Sequence, residues 1–156
     1  MEDVRRVISV IVMNESSVLA RVSGLFAGRG YNIESLTVAP IPNSDLSRIT
    51  IVTNGNKRVI EQITKQLHKL VPTLKVIEHE EMVEKEMVLV KFSSDQNIAD
   101  IQVLCEAYNG GIVNAGEDII IIMAADESKR IEYFLEAAQR YSPIEIVRGG
   151  IVAIER

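Results

Sequence analysis

Asn14 to Leu36 reads NESSVLARVSGLFAGRGYNIESL. The stretch holds a short polar loop, a helix, a glycine stop and the start of a strand. Val18, Leu19, Val22, Leu25 and Phe26 recur at the spacing of one side of an α-helix, which predicts a helix over about Ser17 to Ala27. Ala20, Gly24 and Ala27 form a stripe of small residues on another side. A glycine inside a helix costs about 1 kcal/mol against alanine, so the stripe predicts close packing against that side. Gly28 and Gly30 end the helix, because glycine takes the left-handed conformation of a helix C-terminus without a Cβ clash.

Upstream, Arg5 to Met13 (RRVISVIVM) is almost continuously apolar and β-branched, the pattern of a strand buried on both faces. Downstream, Ile33 to Ala39 and Leu46 to Thr53 each alternate apolar and polar residues. Pro40, Pro42, Asn43, Ser44 and Asp45 between them supply turn chemistry, so the two strands should form a hairpin. Asn54-Gly55-Asn56 opens a second helix, about Lys57 to Leu70, which Pro72 prevents from continuing. Leu74 to Ile77 is a fourth strand. The order β-α-β-β-α-β is the ferredoxin-like plan, an antiparallel sheet with two helices on one face.

The charged run Glu78 to Glu86 (EHEEMVEKE) fits a linker, and after it the plan repeats. Strands are expected at Met87 to Phe92, Gly111 to Ala115, Asp118 to Ala124 and Ile144 to Val147. Helices are expected at Ile98 to Tyr108 and Ser128 to Tyr141, and a last strand at Ile151 to Ile154. The fold class is therefore α+β, two successive ferredoxin-like βαββαβ units. The expected division is 1–78, a linker over 79–86, and 87–156.

Of 156 residues, 47% are hydrophobic, enough for a true core. The formal net charge of -5 gives no electrostatic reason to expect nucleic acid. No apolar run approaches the roughly 20 residues that span a bilayer, and no secretion signal is readable, so a cytoplasmic protein away from membranes is expected. Catalytic residues are scarce. His68 and His79 fit solvated positions, on a polar helix side and in the linker, without a neighbouring nucleophile and orienting acid. Cys105 lies on the apolar side of its helix, where a free cysteine behaves as a small hydrophobe. His and Cys ligands are too few for a transition-metal site. Gly24, Gly28 and Gly30 lie within and after a helix, whereas a dinucleotide fingerprint puts its glycines before one. Lys57, Arg58, Lys65, Lys69 and Lys75 crowd the second helix and its exit, as a solvated face or a docking face for an acidic partner. What remains is the loop and the helix start. The first N–H groups of a helix suit a carboxylate, and the amides of Asn14 and Asn32 both donate and accept, as an amino acid requires.

These residues carry a resemblance. Asn14 to Pro40, Leu46 to Thr53 (LSRITIVT), Val59 to Val76 (VIEQITKQLHKLVPTLKV) and Glu86 to Phe92 (EMVLVKF) resemble the small regulatory subunits of acetolactate synthase, also called acetohydroxyacid synthase. The resemblance is specific over the first 80 or so residues and weaker beyond. It implies an ACT domain followed by a second ferredoxin-like domain, and no active site in this chain. It implies a catalytic large-subunit partner carrying thiamine diphosphate, magnesium and FAD, with activation of that partner and feedback inhibition by valine. It also implies a homodimer through ACT domains whose sheets join side by side, with the effector at the join. Carried over by position, Asn14, Glu15, Ser16, Ser17, Val18 and Leu19 come from one chain, and Asn32 and Ile33 from its partner. The backbone amides around Val18 and Leu19 would hold the effector carboxylate. The family pattern Asn-x-x-Gly has Ser17 here in place of its glycine. The rival class is a stand-alone amino-acid-binding sensor of the ACT type, which would need a nucleic-acid-binding element to control transcription. A small enzyme on the same scaffold is a third class, and it lacks acid, base and nucleophile groups.

Overall fold

The computed structural model describes residues 2–70 and 73–156. The β-branched run at its start forms β1 (Val4–Met13). Because strand side chains alternate, Ile8, Val10 and Val12 enter one core while Val7 and Ser9 are buried on the opposite face. Next come α1 (Val18–Gly28), β2 (Ser35–Pro40), β3 (Leu46–Gly55), α2 (Lys57–Lys69) and β4 (Thr73–Glu78). The sheet order is β2-β3-β1-β4, every pairing antiparallel. The expected helix stop at Pro72 lies outside the described residues.

The two helices cover one face of this sheet. Val18, Val22 and Phe26 of α1 and Ile60, Ile63 and Leu67 of α2 pack on Ile8, Val10, Ile49 and Ile51. Burying a side chain such as Phe26 contributes roughly 1.5–3 kcal/mol. Leu19, expected on the apolar side of α1, is 41% exposed, because the buried stripe narrows to an i, i+4, i+8 row. Asn56 caps α2, its side-chain oxygen accepting from the Val59 amide at 3.0 Å. The stop of α1 is a Schellman turn. The Gly30 amide donates to the Ala27 carbonyl and the Tyr31 amide to the Phe26 carbonyl, with Gly30 at φ +68°. Tyr31 and Phe26 then meet edge to face, 6.1 Å between ring centres.

The second half repeats the plan with β5 (Met82–Ser93), α3 (Ile98–Ala107), β6 (Gly111–Ala115), β7 (Ile119–Asp126), α4 (Ser128–Ala138) and β8 (Glu145–Arg148). The order β6-β7-β5-β8 matches that of the first sheet position for position. Its core joins Val88, Val90, Phe92, Ile120 and Ile122 to Ile101 and Cys105 of α3 and Ile131 and Phe134 of α4. The helix expected to reach Tyr141 gives way to a 3-10 turn at Gln139–Tyr141.

The chain falls into two compact units, Met1–Val83 with Ile151–Arg156, and Glu84–Gly150. Residues 79–86, expected as a linker, enter β5 at Met82. Strand alternation leaves Val83, Lys85 and Met87 exposed and turns Glu86, Val88 and Val90 inward, and the buried Glu86 carboxylate is paired with Arg148. The final strand β9 (Val152–Glu155) pairs with β5. Ile151 and Ala153 nevertheless pack with Val7, Val52 and Met82 of the first unit, on the sheet face that α1 and α2 leave free. No helix among the described residues is long and apolar enough to cross a membrane.

Candidate functional site

Met13 ends β1 opposite Leu46, and the chain turns at once into the loop Asn14–Ser17. The loop is tied down by its backbone. The Asn14 amide donates to the Asp45 carbonyl at 2.9 Å, and the Glu15 amide to Met13 at 2.8 Å. Asn14, Glu15, Ser16 and Ser17 are all exposed, and Val18 turns into the core. The first intrahelical bond runs from Arg21 to Ser17, so the amides of Val18, Leu19 and Ala20 precede the ladder. Val18 spends its amide on the Glu15 carbonyl at 3.3 Å. Of the two amides expected to face a carboxylate, Leu19 therefore belongs to the free end of the helix and Val18 to the loop turn.

Ser17 has φ -92° and ψ -7°, an ordinary right-handed conformation open to every residue. Its hydroxyl makes no capping bond. The backbone at this position thus has no need of glycine. What a glycine would add is the space of the missing Cβ.

Asn32 and Ile33 lie ahead of β2, which begins at Ser35 and not at the expected Ile33. The Asn32 carbonyl accepts from the Thr53 hydroxyl, and the Glu34 amide donates to the Val52 carbonyl at 2.8 Å. These bonds fix the strand entry and leave the Asn32 side chain exposed, with Ile33 partly buried against the core. The register now separates the two half-sites. Ser35 pairs with Val52, whereas Met13 pairs with Leu46. Leu46 and Val52 are six steps apart along β3, about 20 Å at the rise of an antiparallel strand. Within one chain, Asn14 to Leu19 and Asn32 to Ile33 stand at opposite ends of the sheet and do not meet.

The candidates for other chemistry separate cleanly. Cys105 is fully buried, and burial pushes its thiol up to about 11, away from nucleophilic use. His68 is exposed on α2. His79, expected in solvent, is only 4% exposed. Its Nε2 stands 2.7 Å from the Ser9 hydroxyl and 3.3 Å from Arg48 Nη2. Neither Ser9 nor Arg48 attracts notice in the sequence as a site residue. The available signal was one serine inside an apolar run; Arg48 alternates with the core residues Ile49 and Ile51 and so reads as solvent-facing. Gly24, expected to mark close packing, has no atom within 4 Å of where a Cβ would stand.

The model of the AHAS small subunit-like ACT domain matches residues 8–75, and that of the small subunit of acetolactate synthase matches residues 85–156. The acetolactate synthase small subunit of Buchnera aphidicola is 44% identical over 96% of each chain. The isozyme 3 small subunit of Escherichia coli is 42% identical, covering 97% of this chain and 96% of its own. The crystal structure of the small subunit from Thermotoga maritima superposes with a TM-score of 0.90 at 35% identity, covering 98% of both chains.

Proposed function

This chain belongs to the family of acetolactate synthase small subunits, and from that premise we propose that it raises the activity of the catalytic large subunit and makes it sensitive to valine. The chain acts as a regulatory subunit without an active site of its own. The thiamine diphosphate, magnesium and FAD expected of the holoenzyme are assigned to the large subunit.

One observation carries the effector site, the placement of its two halves at opposite ends of one sheet. A two-fold axis resolves that separation. β2 is an outer strand of its sheet with unpaired backbone groups, and Val38 on it is 43% exposed. Pairing of β2 with the β2 of a second copy is antiparallel under two-fold symmetry. The start of one β2 then lies beside the end of the other. Pro40 ends β2 opposite Ser47, next to the Met13–Leu46 pair from which the Asn14 loop departs. Asn32 and Ile33 of one copy are thereby brought to the loop and the α1 start of the other. Each dimer gains two such sites, with the free helical amides at Leu19 and Ala20 facing the carboxylate and the two asparagines flanking the amino group.

Regulation follows as a coupling free energy. Valine that binds the paired state of one holoenzyme conformation more tightly than another shifts the population toward it. The experiment is acetolactate formation by the cognate large subunit alone, with this chain, and with this chain plus valine. Activation followed by inhibition is the expected result. Failure to activate would overturn the regulatory role. Activation without a valine response would remove valine as the effector and leave the subunit role standing.

A further inference from the structure

The helix-free face of the first unit's sheet is closed by the chain's own last residues, and a polar group at its centre holds them there. Ile151 and Ala153 are buried on Val7 and Val52, while the alternate residues Val152 and Ile154 are exposed. Arg48 Nη2 donates to the Ala153 carbonyl at 3.0 Å and to the Ser9 hydroxyl oxygen at 3.1 Å. The Ile151 amide donates to Ser35 Oγ at 3.0 Å, and the Arg156 amide to the Glu81 carbonyl at 3.3 Å. Beyond its pairing with β5, this strand is anchored by two buried apolar side chains and by the Arg48 bond to the Ala153 carbonyl. Gly149 and Gly150 precede it and allow it to swing.

We propose that Ser9, Arg48 and His79 form a proton-operated clasp on the segment Ile151–Arg156 that contains β9, closed while His79 is neutral and opened when His79 is protonated. In the closed form His79 Nε2 is an acceptor: it receives the Ser9 hydroxyl and turns its lone pair to Arg48 Nη2, whose two N–H groups are shared among Ser9 Oγ, the Ala153 carbonyl and the ring nitrogen. The ring proton then sits on Nδ1, which is buried without a partner. A second proton, on Nε2, removes the lone pair that faces Arg48 and places two cations 3.3 Å apart. Arg48 relieves the conflict by swinging away, and it takes with it the bond to Ala153.

The charged surroundings agree. Arg48 reaches His79 from β3, and Glu155 acts from β9 in the opposite sense. β1 presents Ser9, with Arg5 farther along the same face, β4 presents Lys75 opposite Ile11 on that face, and β2 presents the neutral Ser35 and Thr37. Glu78 points to the other face, where it pairs with Arg6 at 3.2 Å. Burial and Arg48 outweigh Glu155, so the imidazole is held below its ordinary value. The sign follows. A lowered native value means that the open form binds protons more tightly, so closure is fully favoured above pH 6.5 and is lost as pH falls below it.

The test is a pH titration of the chain by NMR, together with hydrogen exchange of residues 151–156. His79 is expected to titrate below 6.5, and the Ile151 and Ala153 amide shifts to follow its curve. Below pH 6.5 the opening constant of the strand should rise by up to about tenfold per pH unit, after correction for intrinsic exchange. His79→Gln, which keeps an acceptor but does not titrate, should flatten that response. Arg48→Met should open the strand at neutral pH and return His79 toward its ordinary value. An unchanged pH response in His79→Gln, or Ile151 and Ala153 amides that ignore the His79 titration in the wild-type chain, would overturn the clasp.

Discussion

Asn14 and Asn32 stand at opposite ends of one sheet, the first beyond the Met13–Leu46 pair and the second ahead of the Ser35–Val52 pair. A site that uses both must draw them from different chains. Asn14→Ala and Asn32→Ala should each weaken valine inhibition by roughly 10- to 100-fold, the loss of one hydrogen bond to a charged group, and leave activation intact. Mixed dimers of the two variants carry one doubly altered site and one intact site. Mixing should therefore restore part of the valine response at wild-type concentration. Restoration that never appears, in a mixture shown to exchange subunits, would mean that both residues act within one chain.

Ser17 occupies a backbone conformation that asks nothing special of its side chain. Ser17→Gly removes a Cβ and a hydroxyl from the loop without forfeiting a capping bond. The expected outcome is valine inhibition at roughly fivefold lower concentration, about 1 kcal/mol, with the melting temperature nearly unchanged. Titration of valine against acetolactate formation measures it directly.

Asp126 is the polar hub of the second unit. Its carboxylate, 3% exposed, accepts from Arg130 at 2.7 Å, the Glu127 amide at 2.8 Å, Asn109 at 3.2 Å and Lys85 at 3.4 Å. Burial alone would raise this carboxyl, but the bonds from Arg130, the Glu127 amide and Lys85 prevail and hold it below its usual range. Its stabilising contribution is complete above the unfolded value near 4 and disappears as pH falls through the lowered native one. Asp126→Asn should cost about 2 kcal/mol at pH 7. Thermal melts from pH 7 to pH 3 should show the gap between variant and wild type closing at the acid end.

Two glycines invite opposite outcomes from the same substitution. A Cβ at Gly110 would stand 1.8 Å from the Met123 carbonyl oxygen, so the loop into β6 has to shift. Gly110→Ala should destabilise the second unit by about 3 kcal/mol. Gly24 has open space beside it within α1, and Gly24→Ala should stabilise the isolated chain by up to about 1 kcal/mol. Urea unfolding of both variants decides. A destabilised Gly24→Ala monomer would revive the close packing expected from the small-residue stripe.

Much of the fold was legible because its signals are local. The 3.6-residue row Val18, Val22, Phe26, the cap at Asn56 and the glycine stop at Gly30 each act within a few positions of chain. Strand cores followed from β-branched runs and alternation, and the repeat from the order of elements. Edges were less legible. The charged stretch 79–86 reads as a linker, yet its backbone joins β5 from Met82 onward, with Lys85 exposed and the buried Glu86 paired with Arg148 far along the chain. Leu19 reads as core, yet the packing of α1 uses a narrower stripe.

By itself the sequence determined the two βαββαβ units, the residues of the loop and the strand entry, and the family. Only the tertiary structure decided where those residues stand. Register is set by pairing between distant segments, and it alone places Asn14 and Asn32 about 20 Å apart along β3. His79 is buried where the segment from Ile151, 72 residues later in the chain, returns to pack on Val7 and Val52 and to accept from Arg48. Periodicity tells which face of a strand is apolar, but what covers that face depends on contacts no local pattern encodes.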